Sequence, residues 1–442
     1  MKLRIKRGMV LATIFSMALL LTGCIFDVND IDLLSKPRLP LELEEISKVL
    51  KNHFNEDIKL ITPLEGENKK SIMFIDLDQD SENEVVVLHS KETDQFAMKV
   101  TVLSKKNDKW RINTDIQGIG YDVNKIAFPD LDGDGIKEIV VGWQSGAQLN
   151  KGLSVYRHGE KGYEEIFKDS YTEFVTGDVN GNRQDELLIV KLSRSEAFAK
   201  ARLYTILDKH MNLMAESYMD GFINEYASVQ IGKVNSTNVG IIVDAKVGAR
   251  SGFTDLFIYR NGMLENLFFD EKWKVTKETY RQVERQSADV NGDGIIEIPT
   301  LEKGNHKEST KGTLSYITIW NQLDEANHLK PILKSFDDLE GGYRFAFPYT
   351  WNKQVGVIQS IDSVVFKWYS EDGSKQIPLL EIKQIERKNW DVSNEEFIKR
   401  GYIELGKNLD KVYLGKIENN VDPEVLSMLL KEAECRQLFT IL

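Results

Sequence analysis

In the stretch FPDLDGDGIKEIVVGW, Phe128 to Trp143, three aspartates fall on alternate positions, Asp130, Asp132 and Asp134, and Glu138 closes the run just before an apolar segment. Oxygen ligands at the first, third and fifth positions of a tight turn lie on one side and converge on a single cation. A carboxylate at the ninth position closes the shell from the start of the next strand, and the Ile136 carbonyl is a further ligand. Gly133 and Gly135 allow the backbone angles such a turn needs. A highly charged all-oxygen set selects a hard cation, and calcium accepts the irregular shell that magnesium rejects. Two other readings compete: an Asp/Asn/Gly turn that holds its own backbone without metal, and a carboxylate pair for glycoside hydrolysis. An EF-hand begins alike but puts its glutamate at the twelfth position, between helices. Here the twelfth positions of this motif and its recurrences are Val87, Val141, Ile189 and Thr300, in or at the end of apolar strands, which excludes an EF-hand.

The motif recurs as FIDLDQDSENEVVVL from Phe74, VTGDVNGNRQDELLIV from Val175 and SADVNGDGIIEIPT from Ser287, with a decayed copy, QIGKVNSTNVGIIVDA, from Gln230. Between the first ligand positions, Asp76, Asp130, Asp178, Lys233 and Asp289, the steps are 54, 48, 55 and 56 residues. This regular recurrence of a ninth-position carboxylate before a strand resembles the FG-GAP or VCBS repeats of the integrin-α-like β-propeller family, over about three-fifths of the chain. In that family the loop joins the first two strands of a blade and holds Ca²⁺. The resemblance therefore implies calcium ligands at Asp76, Asp78, Asp80 and Glu84; at Asp130, Asp132, Asp134 and Glu138; at Asp178, Asn180, Asn182 and Glu186; and at Asp289, Asn291, Asp293 and Glu297. The Ile136 and Ile295 carbonyls add to the second and fifth sets. The first loop departs from the pattern with Gln79 and Ser81 where glycine is usual, and the third with Arg183 at its sixth position. Ligand charge gives an order of occupancy: the second loop, then the fifth and first, then the third. The fourth stays empty, because the Lys233 ammonium can itself replace an ion.

The elements that must position these loops repeat with them. Each unit offers a strand leading into the motif, an apolar strand after it, an aromatic-bearing strand such as GLSVYRHGEKG or TDLFIYRNGM, and a last strand such as YEEIFKDS. Four short strands joined by Gly, Asn and Asp turns, at a period too long for one coil of a β-helix, predict a mainly β, FG-GAP-like β-propeller. Five four-stranded units are counted over 71–336, whereas family propellers usually have seven blades. Residues 41–70 give an amphipathic helix, LELEEISKVLKNHFN, and a lead-in. Residues 337–442 mix strands and helices and predict a small α+β C-terminal domain. In this frame Trp143, Tyr156, Tyr259 and Trp320 repeat in register and are expected in blade cores.

Residues 1–23 carry a basic start and an apolar stretch, Met9 to Leu21, too short to span a membrane. Leu21-Thr22-Gly23-Cys24 resembles the bacterial lipobox, which implies removal of 1–23 and a diacylglyceryl group on Cys24, with 24–40 as a tether. The expected location is the extracytoplasmic face of the bacterial cell membrane. The lipid consumes one of the two cysteines, so no intrachain disulfide is expected, and Cys435 reads as a buried, inert thiol. A formal charge of −12 argues against a nucleic-acid partner. The six histidines lack metal-ligand spacing, and GWQSGAQ and GARSGF lack the spacing of a serine nucleophile turn. The leading expectation is a non-catalytic binding or interaction module with a protein or envelope-glycan partner. The rivals are an enzyme acting on envelope polysaccharide or lipid, and a structural or assembly factor of the envelope. By analogy with integrin-like relatives, partner surfaces are expected opposite the calcium loops, around 144–150, 247–251 and 302–311.

Overall fold

The computed structural model describes residues 41–54, 58–91, 94–144, 151–303, 316–351, 354–419 and 422–442. Residues 1–40, where a signal segment, a lipidated Cys24 and a tether are expected, lie outside the described residues, as do 145–150 and 304–311 of the expected partner loops. The chain divides into two compact units, Met1–Glu56 and Asp57–Leu442. The first contains helix α1, Leu41–Phe54, which buries Ile46 and Leu50 on one face. Glu42 and Glu44 in its first turn and Lys51 in its last complement the helix dipole.

In the second unit the apolar alternation of the repeats becomes five consecutive antiparallel sheets. The second sheet runs Asp122–Ala127, Ile139–Gln144, Lys151–Gly159 and Gly162–Tyr171, each strand pairing with the next. The third runs Glu173–Gly177, Glu186–Ser193, Phe198–Leu207 and His210–Asp220. The fourth runs Glu225–Lys233, Val239–Val247, Ser251–Arg260 and Met263–Asn266. In the first sheet, Glu84–Lys91 pairs with Ile72–Ile75 over one half and with Ile58–Leu60 over the other, so two short segments do the work of one leading strand. First strands pack beside first strands, as Glu173–Gly177 does against Glu225–Lys233, and last strands beside last strands. That is the arrangement of propeller blades, and the chain is mainly β as its pattern predicts.

The fifth sheet departs from the count. Its leading strand is reduced to one bridge, Ala288 to Glu297. The strands Ile298–Lys303, Tyr316–Leu323 and Leu329–Asp338 are then extended by Tyr343–Ala346 and by the C-terminal strand Phe439–Ile441. The change of character near residue 337 therefore falls inside a strand. Ile317 and Phe336 of the fifth sheet share one core with Phe345, Phe366, Leu380, Tyr413 and Phe439. A second five-stranded sheet, built from Val355–Gln359 to Lys411–Ile417, completes the C-terminal region with helices α2, Arg387–Lys399, and α3, Glu432–Leu438.

Between neighbouring blades, alternate side chains interdigitate. Leu153, Val155 and Tyr171 of the second sheet meet Phe174, Leu187, Ile189, Tyr204 and Ile206 of the third, for example. Trp143, Tyr156 and Trp320 are buried, and Tyr259 is half-buried against the core of the third and fourth sheets. The buried indoles are satisfied by serines on the adjacent strand, Trp143 by Ser154 at 3.4 Å and Trp320 by Ser335 at 2.9 Å.

The long segment between the fourth sheet and the fifth loop is held by a buried ion pair. Arg281 and Asp244 lie 3.1 Å apart and both are buried. The carboxylate also accepts from Thr254 Oγ1 at 2.6 Å and Ser287 N at 2.8 Å, and the guanidinium donates to the Thr279 carbonyl at 3.0 Å. Removing one partner leaves the other charge buried, so Asp244→Ala should cost about 3–5 kcal/mol of stability, seen as an earlier urea midpoint. A midpoint equal to wild type would show that the pair is not what anchors this segment.

Candidate metal centres

Each acidic loop leads into a blade's second strand: Glu84 and Glu186 are the first residues of theirs, and Glu138 and Glu297 immediately precede theirs. Four loops then fold by one set of hydrogen bonds. The ninth-position glutamate accepts the second-position amide: Leu77 N to Glu84 at 3.0 Å, Leu131 N to Glu138 at 2.7 Å, Val179 N to Glu186 at 2.9 Å and Val290 N to Glu297 at 2.8 Å. The first aspartate accepts the sixth-position amide: Ser81 N to Asp76 at 3.2 Å, Gly135 N to Asp130 at 3.0 Å, Arg183 N to Asp178 at 2.8 Å and Gly294 N to Asp289 at 2.9 Å. The fifth side chain accepts the seventh amide, so Ile136 N caps Asp134 and Ile295 N caps Asp293. Fourth and sixth residues take positive φ in all four loops. The second and fifth loops place glycines there, while Gln79, Ser81 and Arg183 bear the strain of about 1–2 kcal/mol each that a side chain brings to this region.

In three loops, carboxylate oxygens lie within 4.8 Å of one another: Asp76, Asp78 and Glu84; Asp130, Asp132 and Glu138; Asp289, Asp293 and Glu297. Asp80 and Asp134 are not part of these triads. The third loop has the same hydrogen bonds around Asp178, Asn180, Asn182 and Glu186 but only two carboxylates. The decayed copy folds into a shorter turn, with Asn235 accepting from Thr237 N and Asn238 N and no acid at the strand start. These triads can hold a metal ion, and two buried oxygens support that fit. Asp76 Oδ1 and Asp130 Oδ1 have no hydrogen-bond partner.

Burial of the glutamates has an electrostatic consequence. Desolvation, opposed by the Leu131 amide and reinforced by Asp132 and Asp134, pushes Glu138 up to about 8. The same cause raises Glu186 to about 7 and also raises Glu84 and Glu297. A cation reverses this by favouring the charged form.

The loops differ in what already neutralises them. In the second, the Arg157 guanidinium reaches Asp132 at 2.6 Å, Asp134 at 2.7 Å and Glu138 at 3.9 Å. In the fifth, Gln322 Nε2 donates to Asp293 at 2.8 Å and Glu297 at 2.7 Å. In the third, Asn180 Nδ2 donates to Glu186 at 2.6 Å. Among the described residues no side-chain donor reaches the carboxylates of the first loop. Ligand counting missed Arg157 and Gln322. The register finds them, because the third strand pairs Ile139 with Tyr156 and Ile298 with Asn321, which puts residues 157 and 322 across from the loop glutamates. Ser104 holds that position in the first sheet.

The loops are also tied to one another. Lys137 N donates to the Leu77 carbonyl at 2.7 Å, Asp185 N to the Asp130 carbonyl at 2.9 Å and Ile296 N to the Lys233 carbonyl at 2.8 Å. Each eighth-position amide thus reaches the start of the preceding loop.

Other titratable groups are spoken for. His89, in the core of the first sheet, lies 2.8 Å from Thr101 Oγ1, which donates to Asp115 at 2.9 Å, and burial lowers it to about 4. Cys435 is buried, and desolvation raises its thiol to about 12, as expected of an inert sulfur. No helix among the described residues is long and apolar enough to cross a membrane.

No family model matches the chain, and no curated protein matches it. Among solved structures, it is similar to the exotype rhamnogalacturonan lyase YesX, at 9% identity over 73% of this chain and 83% of that one, with a TM-score of 0.31. Rhamnogalacturonan lyase YesW gives 11% identity, 72% and 76% coverage and a TM-score of 0.31. The β-propeller domain of the Trilobed protease from Pyrococcus furiosus gives 14% identity, 71% and 89% coverage and a TM-score of 0.29.

Two outcomes follow from the loop electrostatics. A carboxylate whose folded value is raised contributes stability that is lost as pH rises through that value. With chelator, the melting temperature should therefore fall from about pH 4.5, the ordinary glutamate value, to about pH 8, levelling off above the values of Glu186 and Glu138, and added calcium should reduce that fall. A flat profile in chelator would refute buried, uncompensated glutamates. Arg157→Gln should lower the melting temperature in chelator and enlarge the gain on adding millimolar calcium; an unchanged gain would mean that Arg157 does not compete with the ion.

Proposed function

We propose that the chain is a lipid-anchored extracytoplasmic protein whose blades, stabilised by calcium in the acidic loops, form a non-catalytic binding module. The observation that carries this reading is the shared hydrogen bonding of Glu84, Glu138, Glu186 and Glu297 to amides of their own loops. A carboxylate committed to the backbone and to a shared triad is poor material for general acid or base work, which needs a group that can exchange a proton with substrate. The same geometry suits an ion that ties loop to loop.

Oxygen-only ligands and an irregular turn favour calcium over magnesium. The first loop is the strongest candidate, since among the described residues no side-chain donor reaches its carboxylates, and the second is contested by Arg157. Extracellular sites typically bind at about 10⁻⁴ to 10⁻³ M. At tenfold saturation each occupied site stabilises the fold by about 1.4 kcal/mol, a structural contribution. The anchor rests on the Leu21-Thr22-Gly23-Cys24 resemblance and places the protein where such calcium levels are met.

The test is capture from native envelopes by the full-length protein with calcium present, paired with fractionation of a Cys24→Ser variant. A specific partner should co-purify without being chemically altered, and Cys24→Ser should shift the protein from the membrane to the soluble fraction. Turnover of an envelope polysaccharide or lipid by the purified chain would overturn the non-catalytic reading, and membrane retention of Cys24→Ser would overturn the anchor.

A further inference from the structure

We infer that the binding module takes an acidic polysaccharide, a chain of carboxylate-bearing sugar rings, in a cleft lined by the third sheet at the end remote from the acidic loops. This names a partner class for the function proposed above and rests on that reading.

Along the face of the third sheet that meets the second, residues near the loops, Leu187, Ile189, Tyr204 and Ile206, are core. Further along the same strands that face opens. Lys191, Leu192, Ser193, Phe198, Lys200 and Arg202, all of the third sheet, line a cleft of about 340 Å³ there. Three of these are cations. Lys191 pairs with Asp169 of the second sheet, while Lys200 and Arg202 share Glu216 at 2.8 and 3.1 Å, leaving fewer carboxylates than cations.

The rim adds charge and flat apolar surface. The segment after the fourth sheet forms a hairpin, Phe269–Asp270 with Val275–Thr276, whose Lys274 Nζ sits 5.3 Å from the ring centre of Tyr218. Lys200 Nζ sits 4.8 Å from the centre of the same ring. At the hairpin tip the Trp273 indole is 60% exposed, with Lys272 and Lys277 each 5.2 Å from its centre. The tip is held in shape, since Asp270 accepts Lys272 N at 2.9 Å and Trp273 N at 3.0 Å. Its return strand is tied down by Thr276, which donates to the buried Asp255 at 2.5 Å and to Asp220 at 3.1 Å.

An indole held in water on a rigid support is a stacking surface, and ammonium groups beside it meet acids carried by whatever stacks. Sugar rings with carboxylates satisfy both. A glycerol-phosphate polymer offers no ring, and a nucleic-acid backbone is opposed by a chain of net charge −12.

The test is titration of the full chain, solubilised in detergent, with hyaluronate as the uronate-bearing probe and with dextran, polyphosphate and single-stranded DNA as comparisons. Hyaluronate should bind in a salt-sensitive manner and dextran should not. Trp273→Ala and Lys200→Gln should each weaken binding about fivefold, in keeping with the loss of a stacking or cation–π contact, with melting temperatures equal to wild type. No binding of hyaluronate, equal binding of polyphosphate or DNA, or variants that bind as tightly as wild type would each overturn the inference. Envelope capture repeated with the double variant separates the two readings. A partner retained by the variant removes the cleft and leaves the module; no partner and no glycan binding by wild type remove both.

Discussion

A glutamate buried at the start of the second strand needs a positive counterpart, and much of the loop structure can be understood as an answer to that need. The same carboxylate recurs in four blades, and each time the backbone supplies one amide. One amide does not offset the removal of a charge from water. The remainder comes from a guanidinium in the second loop, from carboxamides in the third and fifth and, among the described residues, from no side chain in the first. Four copies of one turn thus differ in how much is left for a cation to do.

The ties between loops turn this local requirement into a property of the array. Because Lys137 N and Asp185 N donate to the preceding loop, a loop that loosens also releases part of the hydrogen bonding between sheets. The blade interfaces lie directly behind. Leu131 of the second loop is itself a core residue between the second and third sheets, and its carbonyl accepts from Ile206 N at 3.0 Å. An ion held at the loop surface would therefore act on packing one residue away.

Repeat spacing and alternation made the blades legible, along with the loop positions and the burial of Trp143 and Trp320. Side chains brought in by register were not legible from ligand counting. Arg157 stands in the third strand, nineteen positions from Glu138, and reaches the loop only because the pairing sets it opposite. The fifth sheet differs from the four-stranded pattern at both edges. Its leading strand is irregular where Arg281 turns inward to Asp244, and its far edge is completed by a strand from the end of the chain. A distant partner strand leaves no trace in local periodicity. The hairpin around Trp273 was unread for a related reason, since its support comes from Asp220 and Asp255 of two other strands.

The strands that carry the loops also explain why a binding surface belongs at their other end. A blade strand has two ends: here one is committed to the acidic turns and to their neighbours, so substitutions there disturb turns and sheets together. At the other end, the connections between second and third strands are free of that obligation. Between the second and third sheets, the side chains on one face pass from Leu187 and Ile189 to Lys191 and Ser193 within a single strand. Core packing holds the first pair in place and leaves the second pair to be chosen by what meets them from outside. An acidic chain that concentrates lysines and an exposed indole at that end has separated the charge that stabilises it from the charge that would select a partner.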